Sequence, residues 1–154
     1  MSGFSVQPIG TVHTPWRSLE TCPRNGRQPD PAPDCLLQVF PEFVEGLSGL
    51  EGFSHLILLY WLGHATETKL TFTPPFDPHP RGVFATRAPF RPNPIGVSVV
   101  AFDGFEQADT LRVRYLDCLD GTPLLDIKPY LPTTDSEPDA TMGWLDRHAT
   151  RHRR

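Results

Sequence analysis

The sequence predicts a mainly β chain, folded as one small single-domain β-barrel with a short helix and long proline-rich loops. Three observations carry that expectation. Eighteen prolines and twelve glycines in 154 residues are too many for a chain built on long helices, which proline breaks and glycine weakens. The apolar residues come in runs of strand length separated by proline, glycine and polar clusters. Residues 110–117 alternate, with Leu111, Val113 and Tyr115 on one side and Arg112 and Arg114 on the other, the period of a half-buried strand. A chain of this length holds one hydrophobic core and hardly two. Closing the sheet into a barrel removes its edge strands.

The elements follow in order. Residues 4–14 carry Val6, Ile9 and Val12 and are read as a first strand. Residues 17–35 are polar and proline-rich, a loop long enough to be a candidate for function. Residues 36–40 are a short apolar strand. Residues 41–50 are expected to be a short helix, with Pro41 early, Phe43, Val44 and Leu47 on one side and Gly49 as the stop. Residues 56–62 are continuously apolar and of strand length, which fits a strand buried on both faces, with a buried helix as the alternative. Residues 69–73 are an edge strand or extended arm, and residues 74–81 a loop. Strands over 82–86 and 95–102 flank a rigid polar middle. Asp120-Gly121 is a turn signal, and residues 124–128 are a last short strand ending at Pro129. The barrel domain is assigned to residues 1–142, followed by a basic tail over 143–154 that holds Arg147, His148, Arg151, His152, Arg153 and Arg154. No internal repeat is present.

The middle of residues 82–99 is the most constrained stretch. Pro89, Pro92 and Pro94 fix three φ angles, remove three backbone donors and push the preceding residues toward extended geometry. The loop is therefore stiff before anything binds. It carries Arg87, Arg91 and Asn93, with no carboxylate between Asp77 and Asp103, and so suits an electron-rich ligand. The bland alternative is a decorated surface loop.

The run Ala85-Thr86-Arg87-Ala88-Pro89-Phe90-Arg91-Pro92-Asn93-Pro94-Ile95-Gly96 resembles the signature of the TsaA-like (TrmO) family. Further stretches resemble that family in the same order: Ile9-Gly10-Thr11-Val12-His13-Thr14-Pro15-Trp16, then Leu50-Glu51-Gly52-Phe53-Ser54-His55-Leu56, then residues 116–132. The resemblance spans roughly residues 4–142. It implies a β-barrel that binds S-adenosyl-L-methionine and methylates N6 of threonylcarbamoyladenosine beside the anticodon of tRNA. It also implies a homodimer with the cofactor site near the interface. Two other readings stand beside it: a methyltransferase acting on something other than tRNA, and a non-catalytic module that binds S-adenosyl-L-methionine. Family members active on tRNA often carry a further C-terminal domain, and this sequence ends at Arg154.

By resemblance, the cofactor-binding residues are Pro23, Arg24 and Asn25 in the first loop, Gly63 and His64 after the apolar run, Arg87, Val97, and the turn Cys118, Leu119, Asp120 and Gly121. Asn25 departs from the family's usual Pro-Arg-Gln. Arg87 could pair with the methionyl carboxylate in a fork geometry, or it could hold its loop to the barrel. The catalytic candidates are Arg91 and Asn93, which either touch substrate or cap the turn, and Asp126, Lys128 and Tyr130. Asp126 and Lys128 share a strand face; they form a mutual ion pair, or Asp126 accepts the proton released on methylation.

A formal charge of −4 excludes a generic polyanion binder, so contact with tRNA must come from a local patch. The candidates are Arg81, Arg87, Arg91, Arg112, Arg114 and the tail. Three cysteines without Cys-x-x-Cys spacing argue against a disulfide framework and against zinc, and no metal is expected. No Gly-x-Gly-x-x-Gly opens a βαβ unit, and there is no P-loop, Gly-x-Ser-x-Gly or His-Glu-x-x-His. The N-terminus lacks a signal-peptide pattern and residues 56–62 are too few to span a membrane. A cytoplasmic chain is expected.

Overall fold

A computed structural model describes residues 3–148 of the chain. Its strands are β1 (Gly10–His13), β2 (Cys35–Val39), β3 (His55–Trp61), β4 (Thr71–Phe72), β5 (Arg81–Gly82), β6 (Ile95–Gln107), β7 (Thr110–Arg114) and β8 (Thr122–Pro129). Six of them close into a barrel in the order β1-β2-β7-β6-β3-β8, with β8 returning to β1 and every pair antiparallel. The predicted barrel is the fold. β4 and β5 form a separate two-stranded ribbon. Inward-facing Val12, Leu37, Val39, Leu56, Leu58, Val100, Leu111, Val113 and Leu124 are fully buried and fill the barrel. Burying a side chain of this kind is worth about 1.5–3 kcal/mol.

Several elements differ from their sequence expectation. The first strand is only Gly10–His13 of the expected 4–14, with Ile9 still bonded through its backbone to Leu124 and Phe40. The helix over 41–50 is a 3-10 segment, Pro41–Leu47, with Pro41 in its first turn; Gly49, at φ +93°, turns the chain away behind it. The apolar run is buried on one face and not on both. Leu56, Leu58 and Tyr60 enter the core, while Ile57, Leu59 and Trp61 are half-covered on the outside. The strand expected over 82–86 is a 3-10 turn, Val83–Ala85, preceded by β5. β6 runs five residues beyond the expected 102 to Gln107, through a bulged register and Gly104 at φ +103°. β7 stops at Arg114 and not at 117, because Tyr115 takes φ +83°, a left-handed conformation that costs a non-glycine residue about 1–2 kcal/mol.

Tyr115 is held in that turn from both sides. The Arg27 guanidinium lies 3.9 Å over its ring and that of Arg114 at 5.3 Å. Gly26 presses on its backbone: a Cβ there would sit 2.1 Å from the Tyr115 carbonyl oxygen. The loop over 17–34 is thereby packed against the exit of β7.

Residues 143–148 belong to a 3-10 segment, Gly143–His148, that packs on the loop before β5. The Trp144 ring stacks on Phe76 at 5.9 Å, and its indole N–H donates to the Ala85 carbonyl at 2.9 Å. Buried Asp77 accepts from Arg81 Nη2 at 2.9 Å, His148 Nε2 at 3.0 Å and the His79 amide at 3.1 Å. Arg151, His152, Arg153 and Arg154 of the expected basic tail lie outside the described residues. No helix among the described residues is long and apolar enough to cross a membrane.

The hydrogen bond from His148 does most to hold the Asp77 carboxyl at about 2, against an ordinary 3.8; burial opposes, and the His79 amide and Arg81 add to the lowering. A folded value below the unfolded one means that the stabilisation is complete above about pH 4 and is lost as pH falls toward about 2. Trp144 fluorescence, read with Trp16 and Trp61 replaced by phenylalanine, is expected to report release of the segment across that acid window. In Asp77→Asn the released signal is expected already at neutral pH. A Trp144 signal unchanged by both acid and the substitution would show that Asp77 does not hold the segment.

Candidate functional site

A cavity of about 520 Å³ opens at one end of the barrel. Four pieces of chain meet there. The end of β3 brings Tyr60, Leu62 and His64; the first loop brings Leu19, Cys22, Pro23, Arg24 and Asn25. Arg87, Pro89 and Arg91 precede β6, whose first residues Ile95, Gly96 and Val97 also line the wall, and the exit of β7 adds Asp117, Cys118 and Leu119. A second hollow of about 730 Å³, bordered by Arg27, Asp30, Arg114 and Tyr115, is an open groove. Its guanidiniums are already engaged, Arg27 on the Tyr115 ring and Arg114 with Asp103 at 2.7 Å.

The proline-rich loop is held by one of its own arginines. Arg91 Nη1 donates to three carbonyls, of Val83 at 3.2 Å, Thr86 at 2.9 Å and Ala88 at 3.0 Å. Prolines leave such a loop short of amide donors, and the guanidinium makes good the deficit. Arg87 is exposed on the same loop and forms no hydrogen bond or ion pair within the described residues. The two arginines, alike in sequence, thus have different tasks.

At the back of the cavity, Tyr60 Oη donates to Asp117 Oδ1 at 3.3 Å and lies 2.7 Å from Ser98 Oγ. Gly96 allows this arrangement, since a Cβ there would meet the Tyr60 ring at 2.3 Å. Burial pushes the Tyr60 hydroxyl well above its ordinary value, with the Asp117 charge adding. Burial also raises the Asp117 carboxyl, against the Tyr60 hydrogen bond and the field of Arg87. The Cys118 thiol is pushed up to about 12, chiefly by burial, and Cys22 is raised by burial and by Asp117. Both thiols are therefore protonated and inert as nucleophiles at neutral pH.

The cavity gathers Pro23, Arg24, Asn25, His64, Arg87, Arg91, Val97, Cys118 and Leu119 from the expected set. Asn25 Oδ1 accepts from the Arg27 amide at 2.8 Å and shapes its own loop. Gly63 is adjacent but outside the wall. Asp120 and Gly121 fasten the turn to β1 instead: Asp120 Oδ1 accepts from the Thr14 amide at 3.1 Å, and the Gly121 amide donates to Val12 O at 2.8 Å. Asn93 is exposed, outside the cavity wall. Asp126, Lys128 and Tyr130 are elsewhere. Asp126 pairs with Lys128 at 2.9 Å on the barrel's outside, and the Tyr130 ring meets His55 edge-on at 6.3 Å, at the far end of β3.

Tyr60 and Asp117 were missed. Tyr60 stood inside an apolar run and counted as core, although a buried hydroxyl asks for a partner. Asp117 was present in the quoted motif, one residue before Cys118, but only the turn at Tyr115 directs it inward.

Residues 11–136 match the model of the tRNA-methyltransferase O N-terminal domain. The chain belongs to the TrmO family. It is 45% identical over 144 residues to a probable S-adenosyl-L-methionine-binding protein of Pyrococcus abyssi, covering 92% of this chain and 76% of that one. It is 38% identical over 152 residues to the tRNA (adenine(37)-N6)-methyltransferase of Escherichia coli, covering 94% of this chain but 65% of the relative. The crystal structure of TrmO from Pseudomonas aeruginosa superposes with a TM-score of 0.76 at 42% identity, covering 92% of this chain and 62% of that one. The chain thus spans slightly under two thirds of those two TrmO-family proteins.

The different tasks of the two arginines have a measurable consequence for stability. Arg91→Ala is expected to cost about 1.5–3 kcal/mol, since hydrogen bonds from a charged donor are lost and three carbonyls are stranded. Arg87→Ala is expected to stay within about 0.5 kcal/mol of the parent, as a change at an exposed side chain that makes no hydrogen bond or ion pair among the described residues. Urea denaturation of both variants decides; equal effects would contradict the assignment.

Proposed function

We propose that this chain is a methyltransferase that uses S-adenosyl-L-methionine to methylate N6 of threonylcarbamoyladenosine beside the anticodon of tRNA. The observation that carries this reading is the cavity. Its walls are built from the stretches matched by the TrmO family model, and Arg87, which forms no ion pair among the described residues, lines it. The names of the relatives in Pyrococcus abyssi and Escherichia coli support S-adenosyl-L-methionine as the cofactor and N6 of an adenine in tRNA as the acceptor. The cavity lies within the size range of ligand pockets, about 300–1,000 Å³. Its apolar wall of Leu19, Leu62, Ile95 and Leu119 fits the adenosyl part, and Arg87 fits the methionyl carboxylate in a two-pronged contact.

The cofactor supplies an electrophilic methyl group, and the nitrogen that takes it gives up a proton. The chain's residues are asked mainly to hold and orient. A fixed cavity that aligns two reactants removes several kcal/mol of entropic barrier. His64 and Arg24 border the mouth, where an incoming nucleotide would pass. Of the basic residues considered for an RNA footprint, Arg81, Arg112 and Arg114 are paired with Asp77, Glu106 and Asp103. Among the described residues that line the cavity, Arg24 and Arg87 carry charge that no ion pair engages. The same acceptor assigns the chain to the cytoplasm.

A homodimer belongs to this reading. On the outer face of β3 and β6, Ile57 stands beside Val99, Leu59 beside Val97 and Trp61 beside Ile95. Ile95, Val97 and Val99 are 39%, 41% and 37% exposed, an apolar stripe of the kind that marks an interface. Ile95 and Val97 also line the cavity, and Asp126 and Lys128 border the stripe beside Leu59 and Ile57. A two-fold axis crossing the strands brings the Asp126–Tyr130 end of one copy to the cavity end of the other. Asp126 then becomes the group that takes the proton.

Labelled S-adenosyl-L-methionine, total tRNA and the full chain, followed by nucleoside mass spectrometry, are expected to place the label in threonylcarbamoyladenosine. Cofactor binding with no labelled nucleoside would overturn the acceptor. By calorimetry, Arg87→Ala is expected to weaken S-adenosyl-L-methionine and its demethylated product by more than about tenfold. Val97→Asp is expected to give monomers in sedimentation. Asp126→Asn is expected to lower turnover about 10²-fold with binding intact. Mixing it with Arg87→Ala should restore activity through hybrid dimers that keep one complete site. No recovery, with exchange of subunits demonstrated, would confine each site to one chain and remove Asp126 from it.

A further inference from the structure

We infer that Asp117 forms an anionic subsite in the cavity, one that takes a sulfonium and discriminates against the neutral thioether left after transfer. The inference rests on the cofactor reading above and deepens it.

Asp117 differs from most of the other carboxylates that are partly or wholly covered; Asp109 also lacks a cation, but accepts from the adjacent Thr110 hydroxyl at 2.7 Å and lies outside the cavity. Asp77 pairs with Arg81, Asp103 with Arg114, Asp120 with His13 and Asp126 with Lys128. Asp117 has no basic nitrogen within 4.0 Å among the described residues. Its one side-chain partner is neutral, the Tyr60 hydroxyl at 3.3 Å, and Ser98 orients that hydroxyl from 2.7 Å. A half-buried carboxylate with so little compensation is costly unless a cation is brought to it. Burial indeed raises its carboxyl above the ordinary value, with Arg87 only partly offsetting the effect.

The backbone has been bent to put it there. Tyr115 at φ +83° sends Leu116 into the core, fully buried, and turns Asp117 to the cavity. Strain of this kind persists where the surroundings enforce it and is concentrated at functional positions. Here Gly26 and Arg27 enforce it.

The cavity therefore has two poles, the Arg87 guanidinium for an anion and the Asp117 carboxylate for a cation. The cofactor carries two cations, an α-ammonium and the sulfonium. Only the sulfonium disappears on methyl transfer. A carboxylate facing the sulfur favours the donor over its spent form, whereas a carboxylate facing the ammonium treats both alike.

Calorimetry on the full chain separates these cases with three ligands. They are S-adenosyl-L-methionine, the thioether product, and an analogue with an ammonium-bearing carbon in place of the sulfonium. The parent chain is expected to bind both cationic ligands more tightly than the thioether. Asp117→Asn keeps an oxygen for Tyr60 and removes the charge. It is expected to weaken the two cationic ligands by about tenfold or more and the thioether by no more than about twofold. Equal weakening of all three, or no change in any, would overturn the subsite. So would a parent chain that binds the thioether as tightly as the sulfonium, a comparison that needs no variant. If the parent bound none of the three, the cofactor reading itself would fall, whatever Asp117→Asn does.

Discussion

Closure of the barrel depends on a strand of four residues. β1 pairs with β2 on one side and with β8 on the other, and no other element joins those two. Its first residue must be glycine, because a Cβ on Gly10 would sit 2.2 Å from the Gln38 carbonyl oxygen. Directly after it, Thr14 Oγ1 donates to the Cys118 carbonyl at 2.8 Å and the Thr14 amide to Asp120 at 3.1 Å. The strand that closes the barrel therefore also pins the turn that follows β7. The cavity wall uses that turn, so the position of Asp117 and Cys118 follows from closure and not from local preference.

The other wall is rigid for a different reason. Pro89, Pro92 and Pro94 hold their loop extended but deprive it of donors, and its carbonyls converge on the Arg91 guanidinium. A cation inside the loop serves the loop. Arg87, four residues earlier, is left to serve whatever enters. Stiffness of this sort reduces the ordering that binding would otherwise require.

The barrel was legible in the sequence because period-two alternation in β7 and the apolar run of β3 depend on residue type alone. The second half of β6 was not, since Asp103 and Gly104 interrupt the pattern at a bulge that only the neighbouring β7 makes sensible. Val83–Ala85 reads as strand by composition and is bent by the ribbon and the Arg91 contacts around it. In the site, the first loop, His64, Arg87 and the Cys118-Leu119 pair were legible through the family signature. The division of labour between Arg87 and Arg91 was not, because it depends on which carbonyls assemble around one of two identical side chains. Nor was Asp117, whose direction is set by a left-handed tyrosine that no residue preference announces.

The motif over 116–132 shows how sequence continuity and spatial continuity part company. Asp117, Cys118 and Leu119 lie at the cavity. β8 then runs along the wall from Thr122 to Pro129, placing Asp126 and Lys128 on the outside beside Leu59 and Ile57, with Tyr130 following against His55 at the far end of β3. Beside Asp126 and Lys128, on the outside, lies the stripe of Ile57, Leu59, Val97 and Val99, more apolar than an exposed sheet face needs to be. An isologous contact presents the same patch from both copies, so in the proposed dimer a two-fold through this stripe would set the Asp126–Lys128 border of one copy against its partner. On that arrangement the ion pair of Asp126 and Lys128 is neither a surface ornament nor an isolated catalytic pair. In the proposed dimer it is the polar border of an interface whose apolar centre adjoins the cavity.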